Sequence, residues 1–233
     1  MSSATAYPNP DKSALVRVGS LVRKRLAADP AVQKVPTSQA EIFAVSQFLS
    51  SAECEQLITM IDSVAKPSRV FDHGYGANFR TSYSGDVVRC DPFVQMVERR
   101  IDDLLGMQHD NGETIQGQRY LPGQEFKPHM DWFFSKASYW KDEARRGGQR
   151  CITAMVYLND VVEGGTTDFT RIGVSIPPQQ GAMVVNILDK KCQAIKSAEE
   201  RDIEERVGAL ESAPGKDSEP DPQRMIRLEE DAA

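Results

Sequence analysis

Apolar residues in the stretch 11–28 recur at mixed three- and four-residue steps, as Leu15, Val16, Val18, Leu21, Val22 and Leu26 among Arg17, Arg23, Lys24 and Arg25. That spacing gathers them on one side of a helix, which Asp29-Pro30 stops. A short apolar stretch at 42–48 leads into Ser50-Ser51-Ala52-Glu53, a helix start with a serine cap and an early acid. The second helix is predicted to run to about residue 65, to bury Leu57, Ile58 and Ile61, and to end at Lys66-Pro67. A loop containing Gly and Tyr follows at 73–85. A third helix is then predicted over 91–105, with Val94, Val97, Ile101 and Leu105 on one side and Gly106 placed to close it.

Beyond Gly112 the period falls to two. Segments 114–121, 126–132, 151–158, 167–169, 173–176 and 182–185 read as strands separated by turn residues, which predicts an all-β core behind the helices. Pro122-Gly123 has the order that a type II turn needs, proline presetting φ and glycine accepting the positive φ that follows, so the first two strands are expected to be antiparallel neighbours. The polar stretch 135–148 is too long for a tight hairpin and is predicted as a mobile loop.

Composition narrows the class. With 233 residues and 40% apolar content the chain can bury a substantial core, as one large domain or two small ones. No apolar run approaches the ~18 residues of a membrane span. The first ten residues lack the basic-then-apolar order of a leader, so the expectation is a cytoplasmic chain with no membrane partner. Cys54, Cys90, Cys151 and Cys192 lie far apart with no CxxC pair, which argues against a disulfide scaffold or a structural zinc knot. A net charge of −6 argues against general nucleic-acid affinity. The charge is uneven: residues 187–233 hold 13 acids and 8 bases and contain no Phe, Tyr, Trp or His. The expected organisation is therefore an N-terminal helical extension (1–40), a principal domain (41–186) and a charged tail (187–233), helical over 190–210 and a Pro- and acid-rich linker over 212–222.

The sharpest chemical feature is His129-x-Asp131. On an extended strand, positions i and i+2 point the same way, so one imidazole and one carboxylate can face a single cation. Ferrous iron held by two histidines and one carboxylate keeps open positions for a cosubstrate and oxygen. A bare His-x-Asp also arises by chance in proteins that bind no metal, so its context decides. That context consists of RYLPGQEFKPHMD (119–131), TAMVYLNDVVEGGTTDF (153–169), the upstream RTSYSGD (80–86) and SIPPQQGAMVV (175–185).

In these motifs, and in their order over roughly residues 41–185, the sequence resembles the prolyl 4-hydroxylase-like branch of the 2-oxoglutarate- and Fe(II)-dependent dioxygenases. The resemblance implies a mainly β fold with flanking α-helices, a double-stranded β-helix or jelly roll. It implies His129 and Asp131 as the first two iron ligands, Tyr120 on the 2-oxoglutarate carboxylate, and Thr167 lining the same pocket. It also implies Fe(II) and 2-oxoglutarate as cofactor and cosubstrate, ascorbate as an accessory reductant, and a peptidyl or small-molecule substrate hydroxylated at an unactivated C–H bond. Tyr120 reads equally well as a half-buried aromatic, Thr167 as an ordinary strand residue, and Arg80 as a surface ion-pair partner.

The C-terminal part departs from the family pattern, which calls for a second histidine after the GAMVV segment and then a Lys or Arg for the distal carboxylate of 2-oxoglutarate. Of the three histidines, His73 and His109 lie upstream of His129 and none follows Asp131. The last strands are thus expected to be missing or replaced. Three explanations stand side by side: a catalytically dead scaffold, a displaced reading frame after about Val185, or rescue by His73, His109 or Cys192. A hydrolytic reading with Glu125 as base ranks below these. A jelly roll short of its last strands exposes a sheet edge, so low stability or a homodimer is expected.

Overall fold

The computed structural model describes residues 12–69 and 78–188. Helix α1 (Lys12–Ala28) leads to strands β1 (Val32–Lys34) and β2 (Ile42–Val45), helix α2 (Ser51–Val64), and strands β3 (Lys66–Pro67) and β4 (Tyr83–Asp86). Helix α3 (Pro92–Leu105), a 3₁₀ turn (His109–Asn111) and strand β5 (Gln116–Arg119) come next. Helix α4 (Trp140–Arg146) precedes β6 (Ile152–Val156), β7 (Thr167–Phe169), β8 (Val174–Ile176) and β9 (Met183–Ile187).

The three long helices lie where the apolar spacing puts them, and their ends follow local chemistry. At α2 the Ser50 side chain accepts from the Glu53 backbone N–H while the Glu53 carboxylate takes the Ser50 N–H, a complete capping box. Asp91 caps α3 by accepting from Phe93 and Val94, with Pro92 in the first turn. Gly106 closes α3 at φ +67°, and Arg25 of α1 donates to the carbonyls of Asp103 (2.8 Å) and Leu104 (3.2 Å), which α3 leaves unpaired. A Cβ at position 106 would stand 2.8 Å from Arg25 Cδ, so glycine serves both the backbone turn and the α1–α3 contact.

Strand order β1-β2-β9-β6 makes the principal sheet, antiparallel throughout. Alternation along its strands sorts the core into two layers. Phe43, Val45, Met183, Val185 and Ile187 face the helices, packing with Val22, Leu26, Leu57, Ile61, Val94 and Val97. Ile42 and Val184 face the other way, toward Tyr157, Phe169, Val174 and Ile176, where the β7–β8 hairpin lies. β9 is buried on both faces, as a central strand should be. Strand β6 lies at the sheet edge, and among the described residues only β9 pairs with it. A second sheet, β3-β4-β5, carries α2 on its glycine-bearing face: a Cβ on Gly117 would lie 2.2 Å from Ile61 Cγ1.

Three expectations are corrected here. Residues 126–132 do not form a strand beside β5; β5 pairs with β4, and Phe126 makes only an isolated antiparallel bridge with Arg80. The Lys127 N–H donates to the Phe79 carbonyl (3.0 Å), Pro128 has no N–H to give the next ladder bond, and among the described residues the pairing ends there. Residues 135–148 are not simply loop, because Trp140, 4% exposed, anchors α4 among them. The 182–185 strand extends to Ile187, with Leu188 also buried. The expected tail helix and linker lie outside the described residues, as do His73 and Cys192. Among the described residues no helix is long and apolar enough to cross a membrane.

The α2 cap makes a pH prediction. Glu53 is held at about 2, against an ordinary 4.5, chiefly by hydrogen bonds from Arg100, whose Nη2 donates to Oε1 at 2.7 Å, and then by the Ser50 N–H. A carboxylate whose folded pKa lies below its unfolded value contributes stability that is complete above pH 4.5 and drains away as pH falls toward 2. Glu53→Gln is expected to flatten that acidic limb of the stability curve, measured as urea midpoint against pH.

Candidate metal centre

His129 and Asp131 come together without the strand that their spacing suggests. The turn at 121–124 closes with the Gln124 N–H on the Leu121 carbonyl (2.9 Å) and Gly123 at φ +81°, the type II geometry expected. It returns the chain so that residues 125–127 run against 79–81, with the Thr81 N–H on the Glu125 carbonyl (2.9 Å). Phe126 then offers its ring as a platform. His129 stacks on it at 3.5 Å between centroids, the Arg80 guanidinium lies 4.6 Å from the same ring, and Phe79 meets it edge-on.

The imidazole has one orientation open to it. Nδ1 lies 2.8 Å from the Lys127 carbonyl, which can only accept, so Nδ1 carries a proton and the neutral imidazole has its lone pair at Nε2. Nε2 faces Asp131 Oδ1 at 3.7 Å. In that neutral form two lone pairs meet across a gap that a cation can bridge, and both side chains are about one-third exposed, so the gap is accessible. Asp131 Oδ2 is occupied differently: it accepts from Thr153 Oγ1 of β6 at 2.8 Å, leaving Oδ1 for the gap. The Asp131 carbonyl accepts from Arg150 Nη1 (3.3 Å), and Arg150 grips Glu113 with two bonds of 2.6 Å while lying over the Phe133 ring.

Tyr120, just past β5, is 45% exposed and donates to Gln118 Oε1 (2.8 Å). Desolvation pushes its phenol above the ordinary value, against the opposing pull of Ser82 and Arg80. Burial in turn lowers the Arg80 guanidinium, whose Nε donates to Ser82 (3.3 Å) and Nη1 to the Arg69 carbonyl (3.2 Å). Tyr120 therefore belongs to the Arg80–Phe126 side of the site. Thr167 lies on the opposite side: its Oγ1 accepts from the Tyr157 hydroxyl (2.7 Å), and burial pushes that phenol up too. Thr153 and Tyr157 are four residues apart and so share one face of β6, which places Asp131 and Thr167 over the same strand face. No hydrogen bond or ion pair joins Tyr120 or Thr167 to His129 or Asp131 among the described residues.

The other candidates lie elsewhere. His109 is engaged by Asp102 (3.1 Å) and Glu98 (3.5 Å) at the end of α3. Glu125 is 62% exposed beside Lys127. Among the described residues, no three His, Cys, Asp or Glu side chains are placed to hold one metal ion. Thr153, Gln149, Arg150 and Glu113 were not marked from the sequence. The signal for Thr153 was its even spacing from Met155 and Tyr157 on a strand; nothing local marks the others.

Residues 115–191 match the family described as the 2OG-Fe(II) oxygenase superfamily. Probable prolyl 4-hydroxylase 8 of Arabidopsis thaliana is 35% identical over 166 residues, 66% of this chain and 56% of the relative. Prolyl 4-hydroxylase 1 of the same plant is 32% identical over 180 residues, covering 74% and 58%. The chain belongs to the 2OG-Fe(II) oxygenase superfamily. Against the solved 2OG complex of the viral collagen prolyl hydroxylase from Paramecium bursaria Chlorella virus-1, this oxygenase-family chain aligns at 24% identity and a TM-score of 0.47, covering 63% of itself and 77% of the viral chain. It spans less than three-fifths of the two plant relatives. The expected β core with flanking helices is present, in a four-stranded, a three-stranded and a two-stranded sheet that are not closed. The family implies Fe(II) and 2-oxoglutarate. The donor set at Nε2 and Oδ1 fits a hard-to-borderline cation such as Fe(II), with the outer hydrogen bonds that metal-binding histidines and carboxylates usually carry.

Proposed function

We propose that this chain is a 2-oxoglutarate- and Fe(II)-dependent dioxygenase that hydroxylates an unactivated C–H bond, with His129 Nε2 and Asp131 Oδ1 as iron ligands. The relatives' names make peptidyl proline the first substrate to test, ahead of a free amino acid or small metabolite. The observation that carries the reading is His129 Nε2 facing Asp131 Oδ1 at 3.7 Å, each side chain fixed from behind by a hydrogen bond.

The chemistry that bound iron supplies is oxidative: dioxygen is divided between succinate, formed from 2-oxoglutarate with loss of carbon dioxide, and a hydroxyl group on the substrate. The residues prepare for it. The Lys127 carbonyl holds a proton on Nδ1, so the lone pair of the neutral imidazole is at Nε2, the atom that faces Asp131. Thr153 holds Oδ2, so Asp131 presents one oxygen. The stacked Phe126 ring excludes water from one face of the imidazole. Tyr120, kept neutral by desolvation, is a donor for a cosubstrate carboxylate once it leaves Gln118, and Arg80 nearby supplies positive charge. Thr167 is the hydroxyl on the far side.

A second reading, a catalytically dead jelly-roll scaffold, is favoured by the missing third side-chain donor among the described residues. Anaerobic titration of the whole chain with Fe(II) and 2-oxoglutarate separates the two. The enzyme reading expects a weak visible charge-transfer band and, after air and ascorbate are admitted with a proline-containing peptide, release of succinate. A flat titration with no succinate leaves the scaffold reading.

A further inference from the structure

Among the described residues the metal-facing segment has no sheet partner beyond Lys127, yet Trp132 and Phe133 just after it are buried (9% and 6% exposed). A buried backbone without ladder partners must find its hydrogen bonds elsewhere. For Phe133 one side chain supplies both. Gln149, 8% exposed, accepts the Phe133 N–H on Oε1 (2.7 Å) and donates from Nε2 to the Phe133 carbonyl (2.7 Å). The orientation of that amide is not in doubt, since a backbone N–H only donates and a carbonyl only accepts. Oε1 also accepts the Arg150 N–H (3.1 Å), so the same oxygen ties Phe133 to the chain leading into β6. Three residues on, Thr153 holds Asp131 Oδ2.

We infer that Gln149 and Thr153 are positioning residues that take the place of strand pairing and set the approach of Asp131 to His129. Gln149 pairs with Phe133 through both its amide groups, as a residue on a neighbouring strand would, and so fixes the height of the segment over β6. Thr153 fixes the rotation of the Asp131 carboxylate about its own axis. Neither residue touches the gap between Nε2 and Oδ1. Both act through Asp131, and their link to metal binding rests on the function proposed above.

The test uses the full chain and three variants: Thr153→Val, which keeps shape and loses the hydroxyl; Thr153→Ser, which keeps it; and Gln149→Met, which keeps length and loses both bonds. Amide hydrogen exchange is followed at Phe133 and Phe134, and Mn(II) binding by electron paramagnetic resonance. Gln149→Met is expected to speed exchange at Phe133 by at least tenfold while amides of α2 and α3 are unchanged. Thr153→Val is expected to weaken Mn(II) binding about 10- to 100-fold, the usual effect of removing an outer hydrogen bond, with Thr153→Ser restoring most of it. Unchanged exchange at Phe133 in Gln149→Met, or equal Mn(II) affinity in the Val and Ser variants, overturns the inference. A wild-type chain that takes up no Mn(II) instead overturns the metal reading, and the exchange at Phe133 still decides whether Gln149 clamps the segment.

Discussion

His129→Ala is expected to abolish the binding of Mn(II) or Fe(II) proposed for this chain while leaving it folded. The imidazole supplies one of the two donors that meet across the 3.7 Å gap, and a lone carboxylate on a one-third-exposed side chain is a weak site for a divalent ion. The cost to stability is small by comparison. What the fold loses is the stack on Phe126, worth about 0.5–1.5 kcal/mol, and one hydrogen bond to the Lys127 carbonyl, worth about 1 kcal/mol. Thermal melting of the metal-free protein should therefore shift by a few degrees, while the Mn(II) resonance of the wild-type complex disappears. Retention of wild-type affinity in His129→Ala would remove this residue from the site.

Phe43→Ala is expected to work in the opposite sense, destabilising the core without touching the metal-facing side chains. Phe43 is 2% exposed on β2, in the layer that the helices cover, and its register partner is Val185 of the central strand. Truncating a buried Phe costs about 3–5 kcal/mol through lost transfer energy and the cavity left behind. That is a large part of the roughly 5–15 kcal/mol that a domain of this kind possesses. Because β9 lies between β2 and β6, loosening β2 also loosens the strand that carries Thr153. The urea midpoint should fall sharply, and metal affinity should fall with it at denaturant concentrations the wild type tolerates. A midpoint within error of wild type would mean that this layer is not the core.

The parts that were legible beforehand share a local cause. Helices α2 and α3 were readable to within a residue or two because Ser50, Glu53, Asp91, Pro92 and Gly106 act on backbone groups within one turn of themselves. The turn at Pro122-Gly123 was readable for the same reason. At 126–132 the alternating pattern is real, but Pro128 lacks the N–H that the next ladder bond needs, and among the described residues the pairing ends at Lys127. Stretch 135–148 misled differently. One apolar residue among many charges, Trp140, is enough to anchor α4 when a buried surface is at hand, and periodicity has no way of registering a single anchor.

Neighbours along the chain and motifs in a set order specify the three long helices, most of the strands and the family, and they mark His129 and Asp131 as a candidate pair. The Lys127 carbonyl orients the imidazole from two residues away, whereas the hold on Asp131 depends on the fold: Thr153 selects the carboxylate oxygen, and Gln149 supplies hydrogen-bond partners for the Phe133 backbone. Thr153 and Gln149 stand 22 and 16 positions from the groups they bind, and hydrogen bonds between residues so far apart leave no periodic trace in the chain.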